Sequence, residues 1–201
     1  VRYLAEAGLI PAPTTAVVLA GGRGSRLGGR EKGEILIGGE RLIDIVVSGA
    51  LAAGCRQVVI AGDLGSGSAK TIREEPPFSG PAAGLAAVLP EVNTDWFMLL
   101  ACDLPHAKLL CHLLAESLHR LDPGYDGLLT LHEGRVQWLA GIYRTASVTS
   151  ALERIDNPEG ASMRTLFGGL KLREVQDPDG LSRDIDTPEE LEAITKESET
   201  K

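Results

Sequence analysis

The chain has 201 residues, 43% of them apolar and 24% charged, with a formal net charge of −8. That profile suits one folded domain with a substantial core, and the acidic balance argues against a nucleic-acid-binding face, which must be basic. Cys55, Cys102 and Cys111 lack C-x-x-C spacing, so neither a disulfide framework nor a zinc ribbon is expected and a reducing, cytoplasmic compartment is.

The opening Val1–Glu6 carries an acid and only a short apolar stretch, unlike a secretory signal. No apolar run approaches the roughly 20 residues that cross a bilayer. Residues 1–13 hold Pro11 and Pro13 and read as an arm, residues 14–196 as one domain, and residues 197–201 as a frayed tail.

Thr15–Ala20 is short, apolar and valine-rich, and it stops at Gly21-Gly22, which reads as a buried strand feeding a glycine loop. The loop, Leu19–Lys32 (LAGGRGSRLGGREK), gathers Arg23, Arg26, Arg30 and Lys32 with Glu31 as the opposing charge. Glycines let successive N–H groups close on an anion, so this is a positive cradle suited to a triphosphate. It matches neither common phosphate loop. The spacing of Gly22, Gly24 and Gly28 has one residue too many for G-x-G-x-x-G, and Gly29 is followed by Arg30-Glu31 rather than lysine and a hydroxyl residue.

Further elements follow in order. Leu42–Ala53 has helical periodicity and ends at Gly54; Gln57–Ala61 is a second strand. Glu74-Glu75-Pro76 precedes a helix that opens at Gly80-Pro81, where proline suits the first turn, and runs through Leu89. Trp96–Ala101 is a third strand, delivering Cys102-Asp103 at its carboxyl end. A carboxylate there faces the crevice where α/β sheets bind ligands, and is either a Mg²⁺ ligand or a cap for the helix after Pro105. Leu109–Leu121 is a helix, and Leu128–Leu131 and Val136–Tyr143 are strands around the turn Glu133-Gly134.

Ser162 marks a helix start, and Arg164 just inside it is an anion-binding candidate. Asp184 and Asp186 share one side of an extended segment. They support a metal, hold an acceptor, or initiate the last helix at Thr187-Pro188-Glu189-Glu190. His112 and His119 lie seven apart, and no zinc site is expected from them. Strands alternating with helices imply a three-layer α/β/α, Rossmann-like fold with a mainly parallel twisted sheet.

Four of these stretches also carry a family resemblance. LAGGRGSRLGGREK resembles the L-A-G-G-x-x-x-R-M/L-G-x-x-D-K signature of the molybdenum cofactor guanylyltransferases, with Arg26, Gly28 and Lys32 in register. Gly80–Leu85 (GPAAGL), Ala101–Pro105 (ACDLP) and Asp184–Leu191 (DIDTPEEL) are similar to that family's later motifs, in the same order. The resemblance implies a nucleotidyltransferase that takes GTP as donor and molybdopterin as acceptor. The phosphate of the acceptor would attack the α-phosphorus, releasing pyrophosphate.

By the same resemblance Lys32, Arg26 and Asp103 are the catalytic residues and Asp103 holds Mg²⁺. Leu19, Ala20, Gly21, Gly22, Arg26, Lys32, Glu75, Gly80 and Asp103 form the nucleotide site. Glu75 is the acid in register for reading guanosine, with a surface acidic pair as the alternative. From the residues themselves, Arg164 either binds the acceptor's phosphate or is a solvated arginine, and Asp186 is a candidate for holding the acceptor. A molybdoenzyme or its chaperone would receive the product. Ala61 stands where relatives tend to carry an amide, and Asp186 where they more often have asparagine. Two rivals remain at this stage. One is a cytidylyltransferase acting on the same cofactor or another small phosphorylated acceptor. The other is a non-catalytic carrier, suggested by Glu34 beside the phosphate lysine.

Overall fold

The computed structural model describes residues 10–21 and 31–199, with side chains through residue 196. The expected roles of Gly22 and Arg26, the rest of the arginine-bearing loop, and most of the expected arm therefore lie outside the described residues, whereas the first three residues of the expected tail continue the last helix.

Strand β1 (Thr14–Leu19) is buried along its whole length, as its valine-rich run requires when both sheet faces are covered. After a 3₁₀ turn at Lys32–Glu34, the hairpin β2 (Leu36–Ile37) and β3 (Glu40–Arg41) leads into helix α1 (Leu42–Ala52). Gly54, with φ 100°, follows it in the left-handed conformation expected past a helix end. Strand β4 (Gln57–Ala61) and the short β5 (Lys70–Ile72) follow. Helix α2 (Pro81–Val88) starts with its proline in the first turn. Then come β6 (Trp96–Ala101), α3 (Ala107–His119), β7 (Gly127–His132), β8 (Arg135–Arg144) and α4 (Thr145–Glu153). The short α5 (Met163–Phe167), β9 (Leu172–Gln176) and α6 (Pro188–Glu199) complete the described chain.

Among the described residues one seven-stranded sheet runs in the order β5-β4-β1-β6-β8-β7-β9. β1 pairs in parallel with β4 and with β6, β4 with β5, and β7 with β9; only β8 runs antiparallel, against β6 and β7. Strand side chains alternate between two apolar layers. Ala16, Val18, Ile60, Met98 and Leu100 pack with α1 and α3, and with Leu191 and Ile194 of α6. Val17, Leu19, Val59, Phe97, Leu99 and Tyr143 pack with α2, α4 and α5. This is the three-layer, mainly parallel arrangement expected from the alternation of elements.

Ile10 was expected in the arm, yet it is buried and donates its N–H to the Ala53 carbonyl at 2.9 Å. It extends the core under the end of α1. Helix α6 opens with a capping box: the Glu190 N–H donates to Thr187 Oγ1 at 3.2 Å, while Glu190 Oε2 accepts from the N–H groups of Asp186 and Thr187 at 2.9 and 3.0 Å. The box fixes the backbone of Asp186. Among the described residues no helix is long and apolar enough to cross a membrane.

Candidate active site

The site lies where β1, β4 and β6 end. Leu19 is in register with Ala61 on one side and Ala101 on the other, so Ala20-Gly21, Gly62 and Cys102-Asp103 leave the sheet side by side. The Ala20 N–H donates to the Ala61 carbonyl and the Cys102 N–H to the Leu19 carbonyl, at 2.8 and 3.2 Å. The approach is close: a Cβ on Gly62, whose φ is 139°, would fall 2.9 Å from the Ala20 carbonyl oxygen. Only glycine fits there.

A cavity of about 490 Å³ opens over these strand ends. Its walls include Leu19, Ala20, Gly21, Lys32, Glu74, Gly80, Asp103 and Asp186. Six of the residues that the sequence assigned to the nucleotide are thus brought together with Asp186. Glu75 is not. It is exposed and does not line the cavity, whereas its neighbour Glu74 is buried and does. The reason is the alternation inherited from β5: Ile72 and Glu74 turn inward, and Arg73 and Glu75 outward.

Lys32 is the centre of the site. Its Nζ donates to Asp103 Oδ2 and to Asp186 Oδ1, both at 2.7 Å, with the three side chains 22%, 8% and 42% exposed respectively. Burial alone would lower the lysine pKa, but the two hydrogen bonds and carboxylate charges more than offset it, and the group is held above the ordinary lysine value. Asp184 also lines the cavity. Desolvation, and then the charges of Asp103 and Asp186, push its carboxyl above the usual range. Burial and the Asp103 charge push the Cys102 thiol up to about 12, so it stays neutral.

The donor set suits a hard divalent cation. Among the described residues no three His, Cys, Asp or Glu side chains are grouped to enclose an ion. Mg²⁺ does not require such a cage, because it takes one or two carboxylates and fills the rest of its shell with phosphate and water. Asp103 and Asp186 face each other across a cation already, the Lys32 ammonium.

A second cavity, of about 550 Å³, adjoins the first through a shared wall of Gly80, Pro81, Ala101, Leu139 and Asp184. Arg164 is exposed at its rim, and Gln137, Trp138, Ser162 and Ser182 also line it. Arg164 and Asp186 therefore line different chambers.

One feature shapes both chambers. Between β7 and β8 the register jumps from Leu129 opposite Gly141 to Thr130 opposite Gln137, so Trp138–Ala140 bulge from the ladder. Tyr143 Oη donates to the Trp138 carbonyl at 2.7 Å, and the Tyr143 ring stacks on Phe167 with centroids 4.3 Å apart. Trp138, Leu139 and Ala140 of the bulge line the second cavity, and Leu139 the first as well; bulges are common beside active sites. Glu34 turns away from the cavity and pairs with Arg41 at 2.9 Å.

A mainly parallel sheet whose strand ends present a lysine–aspartate pair and two adjoining chambers defines an α/β protein with the nucleotidyltransferase fold. The crystal structure of molybdopterin-guanine dinucleotide biosynthesis protein A from Archaeoglobus fulgidus has this fold, with a TM-score of 0.69, 22% identity, and coverage of 93% of this chain and 100% of that one. Residues 16–175 match the model of the MobA-like NTP transferase domain, and the chain belongs to that family. It is 34% identical over 135 residues to the molybdenum cofactor guanylyltransferase of Vibrio cholerae, covering 64% of each chain, and so spans just under two thirds of that relative. It is also 34% identical over 151 residues to a probable molybdenum cofactor guanylyltransferase of Trichormus variabilis, covering 70% of each.

Proposed function

We propose that the protein transfers GMP from GTP to the phosphate of molybdopterin, releasing pyrophosphate and forming the guanine dinucleotide. The observation that carries this reading is the pair of joined chambers, with Lys32, Asp103 and Asp186 on the first and Asp184 at the junction. The names of the relatives in Vibrio and Trichormus supply the donor and acceptor.

Chemically, an acceptor phosphate oxygen attacks the α-phosphorus in line. A P–O bond forms to the acceptor as the bond to the β-phosphate oxygen breaks, and pyrophosphate leaves with the electron pair. A phosphate monoester is already largely ionised at neutral pH, so no strong general base is required. Lys32 exchanges a carboxylate partner for phosphate oxygens and neutralises charge that builds during transfer. Arg26, by resemblance, steadies the departing phosphates. Asp103 and Asp186 would hold Mg²⁺, which when bound supplies charge neutralisation on phosphate oxygens.

Base choice falls to Glu74. Its buried carboxylate can accept from the N1–H and N2–H of guanine, whereas adenine presents an acceptor at N1. Cytosine offers a single amino donor, so Glu74 supports guanine over the cytidylyl reading. The pairing of Glu34 with Arg41 removes the charge conflict that favoured a carrier. Delivery of the product to a molybdoenzyme or its chaperone belongs to the same proposal.

Pyrophosphate release is the direct test. Purified protein with Mg²⁺ and molybdopterin should release pyrophosphate from GTP well above CTP or ATP. Turnover with CTP at least equal to GTP would replace the donor. Nucleotide binding with no release from any phosphorylated acceptor would leave a carrier.

A further inference from the structure

Phe78 is out of character for the fold. It is 52% exposed, and its backbone sits at φ 63°, a conformation that suits glycine or asparagine and strains an aromatic residue. Leu36, Leu51 and Leu109 are also exposed, but none of them lines either cavity. Phe78 lines the first one.

The surroundings hold it there. Its backbone N–H donates to Glu74 Oε1 at 2.9 Å, so the backbone that carries the ring is tied to the buried carboxylate. The Arg73 guanidinium lies 4.8 Å from the ring centroid and is itself paired with Asp63. Ser79 Oγ donates to the Pro76 carbonyl at 2.5 Å, closing the turn on the far side, and Gly80 then opens α2. Exposure and backbone strain at Phe78 both cost stability. Such strain persists at sites where a ligand uses the geometry it creates.

We propose that Phe78 is the platform for the nucleobase: its ring packs against the base of the bound nucleotide while Glu74, tethered to the same residue, meets the base edge. This rests on the nucleotide reading above and adds a positioning residue to it. The two side chains divide the work. Every base has a flat π-face, so the ring contributes affinity without strong choice of base. The carboxylate contributes the choice. Arg73 acts through the ring by holding it over the cavity.

The test separates base from phosphates. Phe78→Asn deletes the ring and keeps a residue that tolerates positive φ, so the loop conformation is retained. Binding of GTP and of inorganic tripolyphosphate, each with Mg²⁺, is measured by calorimetry on the full chain. The expected result is GTP bound about 10- to 100-fold more weakly by the variant, with tripolyphosphate affinity unchanged. Phe78→Trp should bind GTP at least as tightly as the original. Equal weakening of GTP and tripolyphosphate, or no weakening of either, overturns the platform role while nucleotide binding by the original protein stands. Failure of the original protein to bind GTP removes the reading beneath it, and the platform with it.

Discussion

Replacing Lys32 by methionine keeps the length of the side chain and removes the charge shared by Asp103 and Asp186. The leg to Asp103, only 8% exposed, lies near the buried limit, and the leg to Asp186, 42% exposed, near the surface limit. Losing one partner of a buried pair costs about 3–5 kcal/mol, and an exposed pair contributes roughly 0–1 kcal/mol. With Lys32 itself 22% exposed, the resting protein should lose on the order of 2–3 kcal/mol, the larger part from Asp103. At about 2–4 °C per kcal/mol for a chain of this size, the melting temperature falls by roughly 5–10 °C. Because Asp103, Asp184 and Asp186 are then left together without their counter-ion, millimolar Mg²⁺ should recover more of that loss in the variant than it adds to the original protein. Turnover should fall by on the order of 10²–10³. Scanning calorimetry with and without Mg²⁺, beside a pyrophosphate assay, reads all three effects. A variant that melts with the original protein, ignores Mg²⁺ and turns over normally would refute the central place given to Lys32.

Glu74→Gln should lower kcat/KM for GTP by about 10- to 100-fold, the scale of hydrogen bonds to a charged group, while Glu75→Gln changes it less than about twofold, as surface substitutions usually do. Equal effects at the two positions would contradict the inward turn of Glu74. Glu190 offers a test by pH. Acceptance of the Asp186 N–H, ahead of other causes, lowers its pKa below 4.5, so its contribution is present above that value and lost as pH falls through the lower folded one. Glu190→Gln should therefore lower the melting temperature at pH 7 by about 2–4 °C, for a cap of about 1 kcal/mol, and the difference should shrink as pH falls through the lowered folded pKa. Gly141→Ala would put a Cβ 2.6 Å from the Leu128 carbonyl oxygen and 2.9 Å from Tyr143 Oη. A loss of about 1–3 kcal/mol in urea denaturation is expected from that crowding.

Much of the framework was legible in the sequence because burial on both faces leaves an unmistakable apolar run. β1, β4 and β6 were found this way, and the residues following the first and third of them supplied Gly21 and Asp103. The strands at the edges escaped detection. Lys70–Ile72 and Leu172–Gln176 are largely exposed or half-buried, so they carry polar residues and no such run. Helix α4 buries only Val148 and Ala151, too narrow a stripe to stand out. Glu75 rests on the family register, whereas the phase of β5 decides which of two adjacent acids faces inward. The alternation Ile72-x-Glu74 was the available signal. The bulge at Trp138–Ala140 was beyond reach, because it depends on which residue of β7 meets which of β8, a tertiary fact fixed by Tyr143 reaching back to Trp138.

The wall shared by the two chambers has an implication for what happens after chemistry. Under the proposed reaction each substrate occupies one room and can depart by surrendering that room's contacts alone. The joined product reaches through the gap bounded by Gly80, Leu139 and Asp184 and is gripped at both ends. Letting go of one end leaves the other tethered at high local concentration, which favours rebinding. Departure of the finished molecule, rather than formation of its new bond, then becomes the natural bottleneck of the cycle.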